Sequence, residues 1–411
     1  MTSQRFILGD PSLFSFSGHC YEYLMSLARS LRLRNQEVVL MGNRKLDDEM
    51  KRQTSVLPVF TYLCEDAPIS TEIDPRSSEG MQLVRSIQEE SVEGDLLEAD
   101  GIIHFSPDDV VIFNTFRHWG LRGIVRWLEK LGPERAPFVA IVLHYTSYSL
   151  PEMDEIDNHK FYREAFSYIE ESPVRQKIVM MADSEGLIDE FRTISNLDFL
   201  LAPIPHAPNA RSESGQKYFP QNVPLNISYL GEAREPKGFQ FLPFAINGIE
   251  RSPWAGHVHF HIQNFCKTPN EQYYLRAMGK MAKNHATFYP KQFGDAEYKA
   301  FLEMSDIILI PYIFAFYYVQ TSGVYAEAAS MGKPVVVPMG TWMASQVKQF
   351  GGGRLFPPGD VQGFLDACLD VVSNFKNIRI EAMDASKKWN AIHNADRMID
   401  LILEKVYGAQ R

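Results

Sequence analysis

The order of apolar and helical segments predicts an α/β protein with two successive doubly wound units, each a parallel sheet covered by helices. Short apolar runs alternate with stretches of helical periodicity along the 411 residues, which is typical of parallel sheets. Runs such as Ile307–Ile310 are apolar at every position, which indicates strands covered on both faces. A stretch with Pro203, Pro205 and Pro208 interrupts the alternation, which then starts again and so predicts a linker between two units.

The first unit is predicted from six apolar runs. Its strands are expected at Arg5–Leu8, Glu37–Met41, Asp109–Asn114, Pro137–His144, Lys177–Met181 and Phe199–Pro205. One helix follows Gly18, a second runs over Trp119–Leu131, and a third is opened by Asp183 or Ser184. Residues 44–100 are polar and acidic with weak periodicity, so loops and an irregular helix are expected there.

The second unit repeats the alternation. Its strands are expected at Leu225–Gly231, His257–Gln263, Ile307–Ile310 and Val335–Val337. Helices are expected at Phe239–Ile246 and Glu271–Ala282, with a last helix pair over about 361–407. Two Rossmann-like units of similar size predict a ligand cleft between them. Ligands of such sheets sit beyond the carboxyl ends of the strands, so polar residues that follow strands are the first candidates for the site.

The composition argues against several classes of protein. Asp and Glu number 51 against 41 Lys and Arg, so the net charge of −10 excludes a typical nucleic-acid binder, which would be basic. No apolar run approaches the ~20 residues that span a bilayer, and the N-terminus enters a strand without the apolar core of a signal peptide. The 4 cysteines stand far apart without a Cys-x-x-Cys pair, which is typical of reduced thiols. A cytoplasmic enzyme is therefore expected.

A lone carboxylate, Glu327, lies in a short helix that is otherwise apolar. Thr321 or Ser322 can cap this helix, and Gly332 closes it. Because side chains on a helix lean toward its N-terminus, Glu327 is expected to point back to the free amides of Ser322 and Gly323. A helix N-terminus binds anions and a carboxylate accepts hydrogen bonds from hydroxyls, which together suit a nucleotide-sugar. A glutamate that is satisfied at a helix–helix contact fits the pattern equally well.

Two cations, Arg234 and Lys237, lie three residues apart on the loop Gly231–Gly238, which follows the first strand of the second unit. Arginine offers a planar fork for phosphate oxygens and lysine a point charge, so the pair suits a diphosphate. The alternative is a solvated turn in which the two cations pair with Glu232 and Glu235.

The second unit resembles the donor-binding half of retaining glycosyltransferases of the GT-B fold, of the family 4 type (glycosyl transferases group 1). The matching motifs are Gly231 to Lys237-Gly238, Ser305-Asp306 before an apolar strand, Ser322-Gly323, Glu327-Ala-x-x-x-Gly332-x-Pro334 and Pro357-Pro-Gly-Asp360. A weaker match in the first unit comes from Gly18, His144 and Asp183-Ser184. The resemblance implies an N-terminal domain over 1–208, a nucleotide-sugar-binding domain over 209–385, and a C-terminal helix over 386–411 that crosses back to the N-terminal domain.

The resemblance also implies roles for residues of the second unit. Arg234 and Lys237 would hold the donor diphosphate and stabilise charge on the leaving nucleotide. Ser322 and Gly323 would donate backbone amides to the same diphosphate. Glu327 would hold the ribose hydroxyls.

In the first unit the resemblance implies roles for His144 and Gly18. His144 would approach the sugar, where it would hydrogen-bond a hydroxyl or support an oxocarbenium-like state through its backbone carbonyl. Gly18 would let the chain approach the donor phosphate or the acceptor closely.

One position departs from the family pattern. The family has a glutamate eight residues before Glu327 that contacts the transferred sugar, and this chain has Val319 there. Sugar recognition is therefore expected from other groups. The candidates are Tyr317, Tyr318, Gln320 and Thr321, or the N-terminal domain.

Two further patterns allow a functional and a structural interpretation. His257, His259 and His261 share one face of a strand, which suits zinc in principle, but a packing role is favoured because adjacent same-face positions rarely converge on one ion. No metal is therefore expected. A basic stripe of Arg122, Arg126 and Lys130 on one helix suits weak peripheral membrane contact, although a solvated outer face is the commoner explanation.

These observations lead to three hypotheses. The first is a retaining transferase that moves a sugar from a nucleotide-diphosphate-sugar, bound as a substrate without a separate cofactor, to a glycan, lipid-linked or small-molecule acceptor. The second, motivated by Val319, is a catalytically silent GT-B protein that binds a nucleotide or glycan as a scaffold. A nucleotide-sugar epimerase is disfavoured because no acidic pair is placed for that chemistry. The sequence also has no Gly-x-Gly-x-x-Gly after a strand, which disfavours hydride chemistry.

Overall fold

The computed structural model describes residues 4–16, 19–63, 66, 73–74, 77–147, 158–205, 224–266 and 285–409. The chain forms two compact units. Unit 1 comprises Met1–His206 with His393–Arg411, and unit 2 comprises Ala207–Ile392. The sequence-based boundaries were residues 208 and 385. The corresponding divisions in the structure fall after His206 and after Ile392.

Unit 1 is built on a seven-stranded parallel sheet with the strand order β3-β2-β1-β4-β5-β6-β7. Its strands are β1 (Arg5–Gly9), β2 (Glu37–Asn43), β3 (Leu57–Phe60), β4 (Val110–Phe113), β5 (Phe138–Leu143), β6 (Ile178–Ala182) and β7 (Phe199–Leu201). Its helices are α1 (His19–Leu33), α2 (Asp48–Gln53), α3 (Ser78–Ile103), α4 (His118–Leu131), α5 (Asn158–Glu171) and α6 (Glu185–Arg192). Strands β4 and β5 are buried at every position, as their continuous apolar runs predict.

Residues 44–100 contain more regular structure than the loops and the irregular helix that were expected. This segment contains α2, β3 and most of the 26-residue helix α3. The weak periodicity has a physical cause, because α3 buries polar side chains against α4 as well as apolar ones. Arg85, for example, is buried and donates to Glu89 at 2.7 Å. Because charged residues lie on the buried face of the helix, the sequence shows no continuous apolar stripe, and the helical periodicity is weak.

The C-terminal helix of the chain belongs to unit 1. This helix (Ala395–Ala409, α14 in the numbering below) packs its Met398, Ile399 and Ile402 into the core that also holds the apolar face of α1. Arg34, just after α1, forms ion pairs with Asp396 at 2.7 Å and Asp400 at 2.6 Å, which fix the helix at the edge of that core.

Unit 2 has a six-stranded parallel sheet with the order β10-β9-β8-β11-β12-β13. Its strands are β8 (Leu225–Tyr229), β9 (Val258–Gln263), β10 (Ala286–Tyr289), β11 (Ile307–Leu309), β12 (Val335–Pro338) and β13 (Gly353–Phe356). Its helices are α7 (Leu242–Glu250), α8 (Asp295–Met304), α9 (Phe314–Tyr317), α10 (Gly323–Ser330), α11 (Trp342–Phe350), α12 (Val361–Ser373) and α13 (Phe375–Ile392), and α14 (Ala395–Ala409) follows them.

Two helix predictions in unit 2 differ from the structure or lie outside it. The segment predicted as the helix Phe239–Ile246 begins with a 3₁₀ turn, Phe239–Phe241, and becomes α-helical only at Leu242, because Pro243 fits the first turn of a helix. The predicted helix Glu271–Ala282 lies outside the described residues. In the described part of the chain, no helix is both long and apolar enough to cross a membrane.

Candidate functional site

The loop Gly231–Gly238 of unit 2 is fixed in place by backbone hydrogen bonds to neighbouring strand ends. Gly231 N donates to the side chain of Gln263, at the end of β9, across 2.7 Å. On the other side of the loop, Ile313 N donates to Pro236 O across 3.0 Å. The loop that carries both cations therefore has a defined conformation at the carboxyl edge of the sheet.

Two glycines of this loop make its close contacts feasible. Gly238 has a φ of +69°, and a Cβ there would lie 1.7 Å from Pro311 O. Gly231 has a φ of +101°, and a Cβ there would lie 2.6 Å from Lys237 Nζ. Only glycine suits both demands, because positive φ and the lack of a Cβ are required together. Lys237 consequently folds back over the start of its own loop.

Arg234 contacts a buried tyrosine. The hydroxyl of Tyr317 hydrogen-bonds the guanidinium of Arg234. Partial burial works to lower the pKa of Arg234, but Tyr317 and Glu232 outweigh it and the pKa is raised above its usual value. The alternative of a solvated turn is therefore incomplete, since Glu232 acts on Arg234 electrostatically while a buried phenol orients it.

Tyr312 connects the cationic loop with the N-terminus of α10. Its ring lies 4.5 Å from the ring of Tyr317, and Lys237 Nζ lies 5.7 Å from its centroid. Its hydroxyl hydrogen-bonds the side chain of Ser322. Burial, reinforced by the neighbouring Tyr317, raises the pKa of Tyr312, so the phenol stays neutral. The four predicted groups Arg234, Lys237, Ser322 and Gly323 are thus brought to one place.

Ser322 caps α10, as one of the two capping alternatives predicts. Its hydroxyl accepts a hydrogen bond from Tyr325 N across 3.2 Å. Gly323 is the first residue of the helix, and Thr321 precedes the cap and is half-buried. The N-terminal amides of α10 are therefore placed on the same side of the sheet as the cationic loop, which is a suitable setting for an anion.

Glu327 contacts a tyrosine from the preceding helix. Tyr298 of α8 donates its hydroxyl to a carboxylate oxygen of Glu327 across 2.5 Å. Burial, then the charge of Glu327 and the hydrogen bond to it, raise the pKa of Tyr298 well above its usual value. The helix–helix contact foreseen as an alternative is thus present, but Glu327 is only half-buried.

Val319 is buried and contributes no polar side chain. Its exposed fraction is 8 %, in the segment that joins α9 to the cap of α10. The buried phenol of Tyr317 is instead the polar group that this segment directs to the cationic loop. Tyr298 was not foreseen from the sequence, because its helix is distant from Glu327 along the chain.

In unit 1, His144 lies directly after β5 with both ring nitrogens at protein oxygens. Its Nδ1 lies 2.8 Å from Asp183 Oδ2, and its Nε2 lies 2.5 Å from Asn114 Oδ1. Asn114 Nδ2 in turn donates to Asp10 Oδ2 across 2.7 Å. The four residues follow β1, β4, β5 and β6, which are neighbours in the sheet. The strand-end rule thus locates a connected polar chain.

The segment after His144 is also anchored. Glu190 of α6 is buried and accepts hydrogen bonds from the hydroxyls of Thr146 at 2.9 Å and Ser147 at 2.6 Å, and from Ser147 N. Asp10 was not singled out from the sequence, although it directly follows β1. Glu190 was not foreseen because it lies within a helix and acts on residues far away along the chain. Gly18, predicted to approach the donor or acceptor, lies outside the described residues.

The basic stripe on α4 pairs with carboxylates of α3. Arg122 and Arg126 each lie 3.6 Å from Glu89, and Lys130 pairs with Glu93. The charge of the stripe is therefore partly offset within unit 1. This reduces its attraction to anionic lipid, and the peripheral membrane contact stays a prediction.

The histidine-rich strand β9 packs against its neighbours. His259 Nε2 lies 2.8 Å from Thr287 Oγ1, and His261 lies 3.0 Å from Tyr289 Oη and 3.1 Å from Asn226 Oδ1. Burial, followed by the neighbouring His259, lowers the pKa of His261 to about 4. These contacts agree with the packing role. Over the described ranges, no group of three or more His, Cys, Asp or Glu side chains is placed to hold a metal ion.

Comparison with known proteins adds the family and the fold. Residues 224–374 match the family model of Glycosyl transferases group 1. The sucrose-phosphate synthase of Thermosynechococcus elongatus is similar with a TM-score of 0.65 and 13% identity, covering 99% of this chain and 100% of that chain. An alpha,alpha-trehalose-phosphate synthase (UDP-forming) from Burkholderia vietnamiensis gives 0.67 and 12%, covering 100% and 99%. The trehalose-6-phosphate protein from E. coli bound with UDP-2-fluoro glucose gives 0.64 and 12%, covering 97% and 98%.

The sequence matches no curated protein significantly. At these low identities the solved structures establish the architecture and not the activity. Their agreement over nearly the whole chain confirms the predicted α/β fold with two Rossmann-like parallel sheets. The protein therefore has the GT-B glycosyltransferase fold, and residues 224–374 of its unit 2 match the model of the glycosyl transferases group 1 family.

Proposed function

We propose that the protein is a glycosyltransferase that moves a sugar from a nucleotide-diphosphate-sugar to an acceptor with retention of anomeric configuration. The observation that carries the proposal is the convergence around Tyr312. Arg234 and Lys237 meet the capped N-terminus of α10 there, at the carboxyl edge of a sheet that matches the group 1 family. Two cations and a helix N-terminus form a site for two linked phosphates.

The donor would be held in two parts by unit 2. The diphosphate would take the charges of Arg234 and Lys237 and the first amides of α10. The ribose hydroxyls would bind Glu327, whose carboxylate already accepts a hydroxyl from Tyr298. The relative from E. coli is bound with UDP-2-fluoro glucose, which supports a donor of this chemical class.

In the proposed reaction, the bond between C1 of the sugar and the phosphate oxygen breaks while the acceptor hydroxyl forms a new bond to C1 on the same face. The leaving phosphate oxygen accepts the proton of the acceptor, so no side chain need act as nucleophile or base. Arg234 and Lys237 would stabilise the negative charge that grows on the diphosphate, the kind of preorganised electrostatic effect that dominates many enzymatic transfers. His144 of unit 1 would hydrogen-bond a hydroxyl of the sugar or support its oxocarbenium-like state through the backbone carbonyl.

A thermal-shift screen tests the binding part of the proposal. The protein is heated with UDP-, GDP- and ADP-sugars and with the free nucleoside diphosphates. A ligand at a hundred times its dissociation constant stabilises the native state by about 2.7 kcal/mol, so one base should stand out. The Lys237→Ala variant should lose the shift and Lys348→Ala, which removes an exposed lysine of α11, should retain it. A flat response to the whole panel would count against a nucleotide site.

The second candidate is a silent GT-B protein that binds a nucleotide or glycan as a scaffold. Its motivation is Val319, which is buried where the family has a sugar-binding glutamate. Binding to a nucleotide-sugar without any release of nucleoside diphosphate, over all donors and acceptors tried, would favour this candidate.

A further inference from the structure

The chain leaves the end of β4 through a backbone conformation that threonine rarely adopts. Thr115 has a φ of +58°. This left-handed conformation is uncommon for any residue with a side chain and exceptional for a β-branched one, because the Cβ comes too close to the following carbonyl oxygen. Thr115 is buried as well, with 7 % of its surface exposed. Such conformations persist only where the surrounding structure holds them, and they concentrate at functional sites.

The contact that holds this turn comes from Asp10, which directly follows β1 and is fully buried. The hydroxyl of Thr115 donates to Asp10 Oδ1, which also accepts from Ser12 N across 2.7 Å. The backbone before the turn is fixed too, because Asn114 N donates to Gly9 O across 3.0 Å. The turn is therefore held at Asn114 by β1 and at Thr115 by Asp10.

The turn places the side-chain amide of Asn114 between Asp10 and His144. One end of the amide lies 2.7 Å from Asp10 Oδ2, and the other end lies 2.5 Å from His144 Nε2. His144 Nδ1 lies 2.8 Å from Asp183 Oδ2, so the imidazole is held from two sides. Amide, imidazole and carboxyl groups can form these contacts in more than one arrangement of their hydrogens, so the positioning does not depend on a particular protonation state.

Packing of Phe116 is the simpler explanation of the turn, and it contributes. The ring of Phe116 lies 5.2 Å from the ring of Phe113 and 5.7 Å from the ring of Phe60. Packing alone, however, requires only a residue that tolerates positive φ, such as glycine or asparagine. A strained threonine whose hydroxyl binds Asp10 instead links the turn to the polar chain that leads to His144.

We infer that Thr115, held by Asp10, is a positioning residue for His144: its left-handed turn fixes the Asn114 amide, and the amide fixes the imidazole. The consequence for catalysis rests on the proposed function, in which His144 acts on the transferred sugar. A functional group must be held within about 0.5 Å of its productive position, which is the task of the contacts behind it. Thr115 and Asp10 are buried and need not touch the sugar themselves.

Two variants of Thr115 test the inference without any assay of activity. Thr115→Gly and Thr115→Val lack the same hydroxyl but differ in backbone preference, since glycine accepts positive φ and a β-branched residue does not. The 11 histidines are labelled with ¹³C in the unliganded full-length protein, and the His144 ring signals are identified by their loss in His144→Gln. We expect the His144 signals to stay close to their wild-type positions in Thr115→Gly and to move in Thr115→Val.

Two outcomes of this comparison would overturn the inference. Wild-type His144 signals in a folded Thr115→Val would show that the turn does not position the ring. Equal movement in Thr115→Gly and Thr115→Val would show that the hydroxyl acts on its own and the turn does not. Should Thr115→Val fail to fold by circular dichroism, Thr115→Ala takes its place, because alanine also disfavours positive φ.

Asn35 supplies the matched controls. It has a φ of +57° and lies two residues before β2, at the opposite edge of the same sheet. Asn35→Val introduces a comparable backbone strain there and should leave the His144 signals in place, as should Asn35→Gly. Movement of the His144 signals in Asn35→Val equal to that in Thr115→Val would mean that general loss of stability moves them, which would also contradict the inference.

Once a donor is known, kinetics tests the catalytic consequence. Thr115→Val should lower kcat by up to about a hundredfold, the loss expected when a reacting group is displaced by roughly 1 Å. The donor KM should change little, because unit 2 would hold the donor diphosphate, and Thr115→Gly, which keeps the turn, should lose much less kcat. Wild-type kcat in a Thr115→Val protein whose His144 signals have moved would overturn the catalytic consequence. Failure to turn over any nucleotide-sugar would contradict the proposed function instead, and the NMR comparison would still decide whether Thr115 positions His144.

Discussion

Tyr298 donates its phenolic hydroxyl to Glu327 across 2.5 Å, from helix α8 to helix α10. This single contact gives the lone carboxylate of a largely apolar helix a polar partner in the protein. Glu327 itself is half-buried. The two interpretations of Glu327, structural contact and ribose binding, are thus compatible, and variants of the two residues separate them.

Glu327→Gln and Tyr298→Phe should differ in their effect on nucleotide binding. A hydrogen bond to a charged group is worth about 1.5–3 kcal/mol, so loss of the carboxylate charge should weaken nucleoside diphosphate binding roughly ten- to a hundredfold. Tyr298→Phe removes only the partner and should weaken it by less than about tenfold. Isothermal titration calorimetry gives both constants. Equal affinity in Glu327→Gln and wild type would leave the carboxylate a purely structural role.

Removal of either loop cation should impair transfer more than folding. Arg234→Ala and Lys237→Ala are each expected to lower kcat by roughly a hundred- to a thousandfold, the usual loss for one preorganised electrostatic group. The thermal midpoint should stay near that of the wild type, because neither side chain is part of the apolar core of unit 2. Lys348→Ala is the control for loss of one positive charge. Wild-type turnover in either loop variant would remove that residue from the site.

The glycine at position 238 should tolerate no side chain. A Cβ there would overlap Pro311 O at 1.7 Å with a φ of +69°, so Gly238→Ala must displace the loop that carries both cations. Gly256→Ala is the matched control, since Gly256 has a φ of +78° but no atom within 4 Å of an added Cβ. Backbone strain alone costs about 1–3 kcal/mol, and Gly238→Ala should exceed the control in both unfolding and nucleotide affinity. Equal effects would show that the contact is relaxed cheaply.

Unit 1 should lose stability in mild acid through His393. This buried histidine begins the C-terminal segment of unit 1 and accepts a hydrogen bond from Ile204 N at its Nδ1 across 3.2 Å. Burial lowers the pKa of His393 from 6.5 to about 4. Its stabilising contribution is therefore complete above pH 6.5 and is lost as the pH falls toward and through 4, because the unfolded chain binds the proton first.

The expected loss is roughly 3 kcal/mol at most, from the difference between the two pKa values. His393→Gln keeps an acceptor and cannot titrate, so its unfolding midpoint in urea should fall less than that of the wild type between pH 7 and pH 4.5. His261, whose pKa is also lowered to about 4, is present in both proteins and cancels in the comparison. Identical acid dependence would show that His393 does not carry the effect.

The sequence predicts much of the fold because parallel strands that are buried on both faces are continuous apolar runs. The central strands β4, β5 and β11 are of this kind. The edge strands β3 and β10 are short and only partly buried, and neither was predicted. The regularity and length of helix α3 were missed for the different reason that its buried face carries paired charges, which only the partner helix can reveal.

The sequence predicts those parts of the candidate site that consist of polar residues directly after strands. Polar residues after strands identified Asn114, His144 and Asp183, which the structure joins in one hydrogen-bonded chain. The same rule applies to Asp10, which directly follows β1 but was not singled out. Tyr298 lies inside a helix and contacts Glu327, which is distant in sequence. No local pattern distinguishes Tyr298 from other polar positions, because its role depends on tertiary packing alone.

Release of nucleoside diphosphate from a panel of nucleotide-sugars, measured with and without sugar and sugar-phosphate acceptors, tests the proposed function most directly. We expect one donor to be consumed in proportion to the acceptor glycosylated, and the product to keep the anomeric configuration of the donor. Lys237→Ala should abolish the reaction, and Lys348→Ala should not. Turnover that persists in Lys237→Ala, or an inverted product, would contradict the proposed function.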